Sequence, residues 1–159
     1  LKDSHVKAKQ YALKLLSYRS RSEKELINRL KRKGISEPVA SSAVSYLKDI
    51  GLINDFSLAE ALKREALSTK LLSQNGAKKF ILNRGIPHDI VDIIFSKDEN
   101  IDFDNARNII DKKLRILKDY PHEVVKRKLY NLLSRRGYSY ETIMKVLKEK
   151  KFNNEEDLK

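Results

Sequence analysis

The chain has 159 residues, of which 40% are hydrophobic and 35% charged, and it carries a formal net charge of +12. The absence of cysteine excludes disulfides and thiolate zinc sites and fits a reducing cytoplasm. No apolar run approaches the about 18 residues of a membrane span. So large a surplus of base points to a polyanion, or to a protein that presents one, against the plainer reading of a lysine-rich coat that only keeps helices soluble. The surplus is uneven: residues 1–55 are net +6, residues 56–101 net +1 and residues 102–159 net +5. No secretory-leader pattern is visible, and with Leu1 in first place the chain is also compatible with a piece trimmed from a longer one.

Residues 1–18 read as a helix, with Ala8, Ala12, Leu15 and Leu16 on one face and Tyr11 beside them. Arg19-Ser20-Arg21 breaks the pattern. Ser22-Glu23-Lys24-Glu25 matches a capping box and starts a second helix, whose stripe is Leu26, Ile27 and Leu30. A third helix runs from about Glu37 to Lys48, with Ser36 as candidate N-cap, and Gly51 stops it. Asn54 or Asp55 caps a fourth helix over Phe56–Lys70. Ser73–Gly76 reads as a turn or cap before a short fifth helix, Ala77–Arg84. Pro87 fits the first position of a sixth, Pro87–Phe95. Ser96–Asp102 is the clearest linker. Asp102 or Asp104 caps a seventh helix through Leu117. Pro121–Arg136 and Ser139–Lys150 are the eighth and ninth, with Ser139 as a cap, and residues 151–159 read as a charged, fraying tail. No segment alternates with period two for long enough to be a strand, so the expected class is all-α.

One device organises these elements. Gly34, Gly85 and Gly137 are 51 and 52 residues apart, each after a basic residue and before a large apolar one: Lys33-Gly34-Ile35, Arg84-Gly85-Ile86 and Arg136-Gly137-Tyr138. Apolar residues recur four positions before each glycine (Leu30, Ile81, Leu133) and ten after (Val44, Phe95, Leu147). A fixed period near 50 residues means an array of like units. The expectation is three three-helix repeats, 1–54, 55–98 and 102–150, with the glycine ending the middle helix of each. Tyr138, in the place of Ile35 and Ile86, is expected in the core.

Sites of chemistry are not visible. His5, His88 and His122 are far apart and none has a partner at metal-ligand spacing. Asp98-Glu99 and Asp102-x-Asp104 lack the glycine and terminal glutamate of a calcium loop. There is no phosphate-binding loop and no nucleophile elbow. The chain reads as a non-enzyme without cofactor or metal.

The basic residues cluster instead. Arg19, Arg21, Lys24, Arg29, Arg32 and Lys33 lie within fifteen positions, Arg84 precedes the second glycine, and Lys126, Arg127, Lys128, Arg135 and Arg136 mirror them in the third unit. A helix buried along one stripe leaves most of its circumference wet, and these residues are expected to line it. The planar fork of arginine suits carboxylate and phosphate. The expected site is therefore a basic face on the outer units, set against a solvated face with local pairs such as Glu25–Arg29. Tyr18 and Tyr140 are open as stacking residues.

At these residues the chain resembles a known family. Leu15 through Leu26 (LLSYRSRSEKEL), followed by Leu30-Lys31-Arg32-Lys33-Gly34-Ile35, is similar to the first repeat of the bacterial RecX regulators. Leu47-x-x-x-Gly51-Leu52-Ile53-Asn54-Asp55, leading into Phe56-x-x-Ala59, resembles the family's next signature, and Leu82–Pro87 the end of its second middle helix. The likeness covers about residues 8–150 and is densest over 12–59. Lys70–Gly76 departs from the Gly- and Arg-rich turn the family carries there. The resemblance implies an all-helical, elongated, curved array of three repeats with no enzymatic activity. It implies a monomer in the cytoplasm that binds the RecA recombinase and its DNA filament. There it would inhibit filament growth, ATPase, strand exchange and coprotease activity. The other reading is a basic helical repeat that binds DNA without RecA, its second and third helices placed like a helix-turn-helix.

Overall fold

The computed structural model describes residues 2–96 and 100–150. Among them, regular structure is entirely helical. The helices are α1 (Lys2–Tyr18), α2 (Glu23–Arg32), α3 (Glu37–Asp49), α4 (Asp55–Arg64), α5 (Gln74–Asn83), α6 (His88–Phe95), α7 (Asp102–Ile116), α8 (His122–Arg135) and α9 (Tyr140–Glu149). The charged tail and the centre of the Ser96–Asp102 linker lie outside the described residues.

The chain forms two compact units. One holds residues 2–62 and 80–96, the other residues 63–79 and 100–150, so the boundary falls inside α4 and again inside α5. In the first unit α1 and α2 both pack on α3. Ala8 and Ala12 of α1, Leu26 and Leu30 of α2, and Ala40, Ala43, Val44 and Leu47 of α3 form the core. Alanine at 8, 12, 40 and 43 lets the α1 and α3 backbones approach, while the leucines of α2 and α3 fill the remaining space. Burying each such leucine contributes about 1.5–3 kcal/mol. The second unit repeats the scheme. Ala106, Ile109 and Ile110 of α7 meet Val125, Leu129 and Leu133 of α8 and Ile143, Val146 and Leu147 of α9. Tyr138 is buried with them, as its place in the repeat predicts.

The helix ends follow the glycine pattern. Gly34, Gly51, Gly85 and Gly137 all have φ between +84° and +94°. After each repeat glycine of the outer repeats the chain turns back under its helix: Ile35 N–H donates to the Leu30 carbonyl and Tyr138 N–H to that of Leu133, both at 3.1 Å.

Several termini differ from expectation. Pro87 and Pro121 sit one position before their helices, as N-caps with extended backbone, rather than inside the first turn. The fifth helix begins at Gln74, taking in the expected turn, and Ser73 is buried at its head. Asn54 caps α4 through its Oδ1, which accepts from Ser57 N–H at 3.0 Å. Asp55, Asp102 and Asp104 are helical residues rather than caps. Ser139 caps α9 through Thr142 N–H, whereas the Ser36 side chain makes no capping bond.

The fourth helix does not continue to Lys70 as an α-helix. It widens into a π-helical turn over Glu65–Thr69, closed by Lys70 N–H on the Glu65 carbonyl at 2.9 Å. Leu71 follows with φ +52°, a left-handed conformation that costs a residue with a Cβ about 1–2 kcal/mol. Two bonds hold the segment: Leu72 N–H to the Ala66 carbonyl (2.9 Å) and the Tyr138 hydroxyl to the Leu71 carbonyl (2.8 Å). Burial, and then the nearby Asp102 carboxylate, push the Tyr138 phenol above its usual range, so it remains a proton donor.

Candidate basic interface

The basic face of the first unit is built by a joint between repeats. Ser22 caps α2, its Oγ accepting from Glu25 N–H at 3.1 Å. The same hydroxyl donates to the Arg84 carbonyl at 2.6 Å, at the end of α5. Glu23 N–H, another orphan donor of the α2 first turn, goes to Asp55 Oδ1 at 3.0 Å. Arg84 Nη2 reaches back to the Ser20 carbonyl at 3.3 Å. The approach needs a bare residue at Gly85. A Cβ there would lie 2.5 Å from Ser22 Oγ, and φ is +88°.

This joint sets the end of α5 beside the polar face of α2. Between them is a groove of about 310 Å³ whose lining includes Arg19, Lys24, Arg29, Arg32 and Arg84, together with Glu25. Five of the residues nominated from sequence thus share one surface. Lys24, Arg29 and Arg32 form no ion pair among the described residues. Three such cations beside Arg19 and Arg84 on one concave wall are what a polyanion or an acidic protein face requires. A neighbouring groove of the same unit, about 700 Å³, mixes Lys24 and Lys31 with Glu23, Glu37 and Asp55 and has no such bias.

Arg21 does not belong to that wet face. It is only 8% exposed, and its Nε donates to the Leu15 carbonyl at 3.2 Å while Nη1 holds Glu25 at 2.6 Å. Its place just before the Ser22 cap turns it inward, over the end of α1. The Glu25–Arg29 pair is not formed either, since Glu25 turns to Arg19 and Arg21. The capping-box motif therefore works through its serine. Lys33 lies over the Tyr11 ring, 5.3 Å from its centroid, apart from the groove.

In the second unit the corresponding joint is made by Ser73. Its Oγ caps α5 at Gly76 N–H (2.9 Å) and donates to the Gly137 carbonyl (2.7 Å). Gln74 N–H goes to Asp102 Oδ1 at 2.8 Å, and Ser73 N–H to the Arg136 carbonyl at 3.1 Å. The basic groove here lies elsewhere, between α7 and α8. It has about 410 Å³ and is lined by Lys113, Arg127, Lys128 and Arg135 with Leu117 and Leu132. Lys126 and Arg136 are half-buried and outside it. Lys113 was not among the residues nominated from sequence: it stands on a different helix from the Arg127–Arg136 cluster, and only the packing of α7 on α8 brings it in. Tyr18 and Tyr140 are exposed.

Among the described residues no group of three His, Cys, Asp or Glu is placed to hold a metal ion, and no helix is long and apolar enough to cross a membrane.

Comparison with known proteins matches the two basic segments to one family. The family model of the first three-helix domain of RecX matches residues 8–47, and that of the third three-helix domain matches residues 100–147. The regulatory protein RecX of Clostridium perfringens (strain SM101 / Type A) is 30% identical over 152 residues, spanning 92% of this chain and 69% of that protein. The chain belongs to the RecX family. The regulatory protein RecX of Clostridioides difficile (strain 630) is 27% identical over 146 residues, 91% of this chain and 68% of its own length. The crystal structure of RecX from Lactobacillus salivarius superposes with a TM-score of 0.72 at 25% identity, covering 94% of this chain and 97% of that one. The all-helical repeat fold and the RecX resemblance read from sequence are both borne out.

Proposed function

We propose that this RecX-family chain is a non-enzymatic cytoplasmic regulator that binds the RecA recombinase and the RecA–DNA filament. It would inhibit filament extension, and with it ATPase, strand exchange and coprotease activity. The observation that carries the reading is the gathering of Arg19, Lys24, Arg29, Arg32 and Arg84 on one groove within a chain whose relatives, matched over nine-tenths of its length, are named regulatory proteins. The mechanism is steric and electrostatic. The basic groove of the first unit engages acidic recombinase surface or DNA phosphate, Arg127 and Arg135 of the second unit add contacts, and the bound body obstructs the next subunit.

The test is RecA ATPase on single-stranded DNA, titrated with this protein at two salt concentrations. Inhibition below one molecule per RecA is expected. Reversing Arg29 and Arg32 to Glu should weaken it at least about tenfold, the weight of two charge contacts, with helicity by circular dichroism unchanged. No inhibition, together with salt-steep binding to bare DNA, would instead identify a DNA-binding repeat without a RecA partner.

A further inference from the structure

One acidic side chain stands inside the basic groove, and it is held in an unequal way. Glu25 Oε1 accepts from Arg19 Nη2 at 2.5 Å and from Arg21 Nη1 at 2.6 Å, and Oε2 accepts from Arg19 Nη1 at 3.3 Å. Arg21 is built in, with 7% of its side chain exposed and its Nε fixed on the Leu15 carbonyl. Arg19 is held more lightly: its side chain is 42% exposed, and apart from Glu25 it has only a long bond from Nη1 to the adjacent Ser20 carbonyl, 3.3 Å. The fork of Arg19 therefore grips a carboxylate bidentately at a place where it is free to release it.

The joint does not need this carboxylate. Capping of α2 is done by Ser22 Oγ, which accepts from the Glu25 backbone N–H and makes no use of the Glu25 carboxylate. The second joint, with the same serine geometry, has Gly76 in the corresponding position, three residues after its serine, and no side chain at all. Nor does the carboxylate help a groove whose remaining cations favour anions; it lowers their potential.

Resting on the reading of the groove as the partner-binding face, we propose that Glu25 is an internal stand-in for an acidic side chain of the partner protein. On binding, a partner carboxylate takes the fork of Arg19, and Glu25 stays with Arg21. The exchange is one carboxylate for another in a slot already shaped for that group, and no burial of unpaired charge accompanies it. A phosphate could take the same fork, but a strand carries a charge at every nucleotide, so its neighbouring phosphates would also face the Glu25 carboxylate that stays with Arg21, whereas a single partner carboxylate need not. The groove thus selects an acidic protein surface over bare nucleic acid, and Glu25 sets the threshold.

The experiment measures binding of RecA without nucleic acid to the wild type, Glu25→Gln, Arg19→Ala and the double variant, with melting temperatures as the control for folding. Glu25→Gln should bind about threefold to tenfold more tightly, the scale of one partly exposed charge contact. Arg19→Ala should bind more weakly, and in that background Glu25→Gln should give no gain. Wild-type binding with an unchanged or weakened Glu25→Gln overturns the inference alone, as does a gain that persists without Arg19. An equal gain on a single-stranded oligonucleotide overturns the preference for an acidic protein. A wild type that does not bind RecA overturns the proposed function, and this inference with it.

Discussion

The joint at Gly85 and the joint at Gly137 use the same parts at different distances. In both, a serine caps the middle helix of one repeat and donates to a carbonyl at the glycine stop of the next, and an aspartate that begins the first helix of that next repeat takes a first-turn N–H. At Gly85 the nearest atoms to an added Cβ are side chain: Ser22 Oγ at 2.5 Å and Lys24 Cβ at 3.3 Å. At Gly137 backbone comes close as well, with Gly76 Cα at 3.0 Å and its N at 3.2 Å, and a Cβ on Gly76 would lie 2.6 Å from the Arg136 carbonyl oxygen. The serine contacts are comparably close in both, at 2.5 Å and 2.8 Å, but at the second joint backbone also meets backbone. That approach excludes any side chain at 76, while the first joint, closed by side chains, has room for Glu25 and the groove around it. One linkage is specialised for packing and the other leaves a surface.

Substitutions can break that comparison, and the glycines should show the largest effects. Gly137→Ala combines a left-handed backbone with contacts that backbone cannot relieve, and should cost about 3 kcal/mol. Gly34→Ala, at φ +94° with nothing within 4 Å of the new Cβ, should cost only the conformational strain, about 1 kcal/mol. Urea denaturation of the two variants separates them; equal losses would mean that the joint contributes nothing beyond the turn.

The serines come next. Ser22→Ala and Ser73→Ala each remove a helix cap and leave a carbonyl without its hydroxyl donor, for about 1–2 kcal/mol. Both losses should exceed that of Ser36→Ala, whose side chain makes no capping bond. Thermal melts of the three variants test the order, and a Ser36→Ala loss as large as the other two would contradict it.

The smallest effect is at Asp55. Burial holds its carboxyl above the usual 3.8, opposed by the hydrogen bond from Glu23 N–H; the Glu23 charge adds to the rise and Lys48 lowers it. With a folded-state pKa above the unfolded one, its contribution to stability is full below pH 3.8 and is lost as pH rises through the folded value. Asp55→Asn keeps an oxygen acceptor and loses the buried charge. It should lie within about half a kcal/mol of the wild type at pH 7, with the wild type gaining relative to it on acidification. Denaturation midpoints across that range check the sign, and a wild type that loses ground on acidification would reverse it.

The fold was largely legible because its signals are local. Gly34, Gly85 and Gly137 recur with the same apolar neighbours, and each stripe such as Leu26-Leu30 or Leu129-Leu133 is a short-range pattern. The joints were not legible, because they are long-range. Asp55 and Asp102 look like caps for the helices they begin, yet their carboxylates serve amides of α2 and α5. Ser22 was recognisable as a cap but not as a donor to residue 84. The π-helical turn at Glu65–Thr69 has no breaker to announce it; Ala66 and Leu67 are ordinary helix formers. For the interface, clustering in sequence found Arg19, Lys24, Arg29 and Arg32, and the period found Arg84. It also swept in Arg21, since charge alone does not tell which residue of Arg19-Ser20-Arg21 faces inward.

The shared serine also bears on how repeats of this kind can be gained or lost. Ser22 and Ser73 each stand twelve residues before the glycine of their own repeat, and each bonds to the glycine turn of the next. Deleting the middle repeat would put Ser22 against the turn at Gly137, a partner of the same chemistry, so the splice could heal. Duplicating the third would not be symmetrical: the residue twelve before Gly137 is Val125, buried in the core of its own unit. A unit added after it would find no hydroxyl at that position to grip its turn.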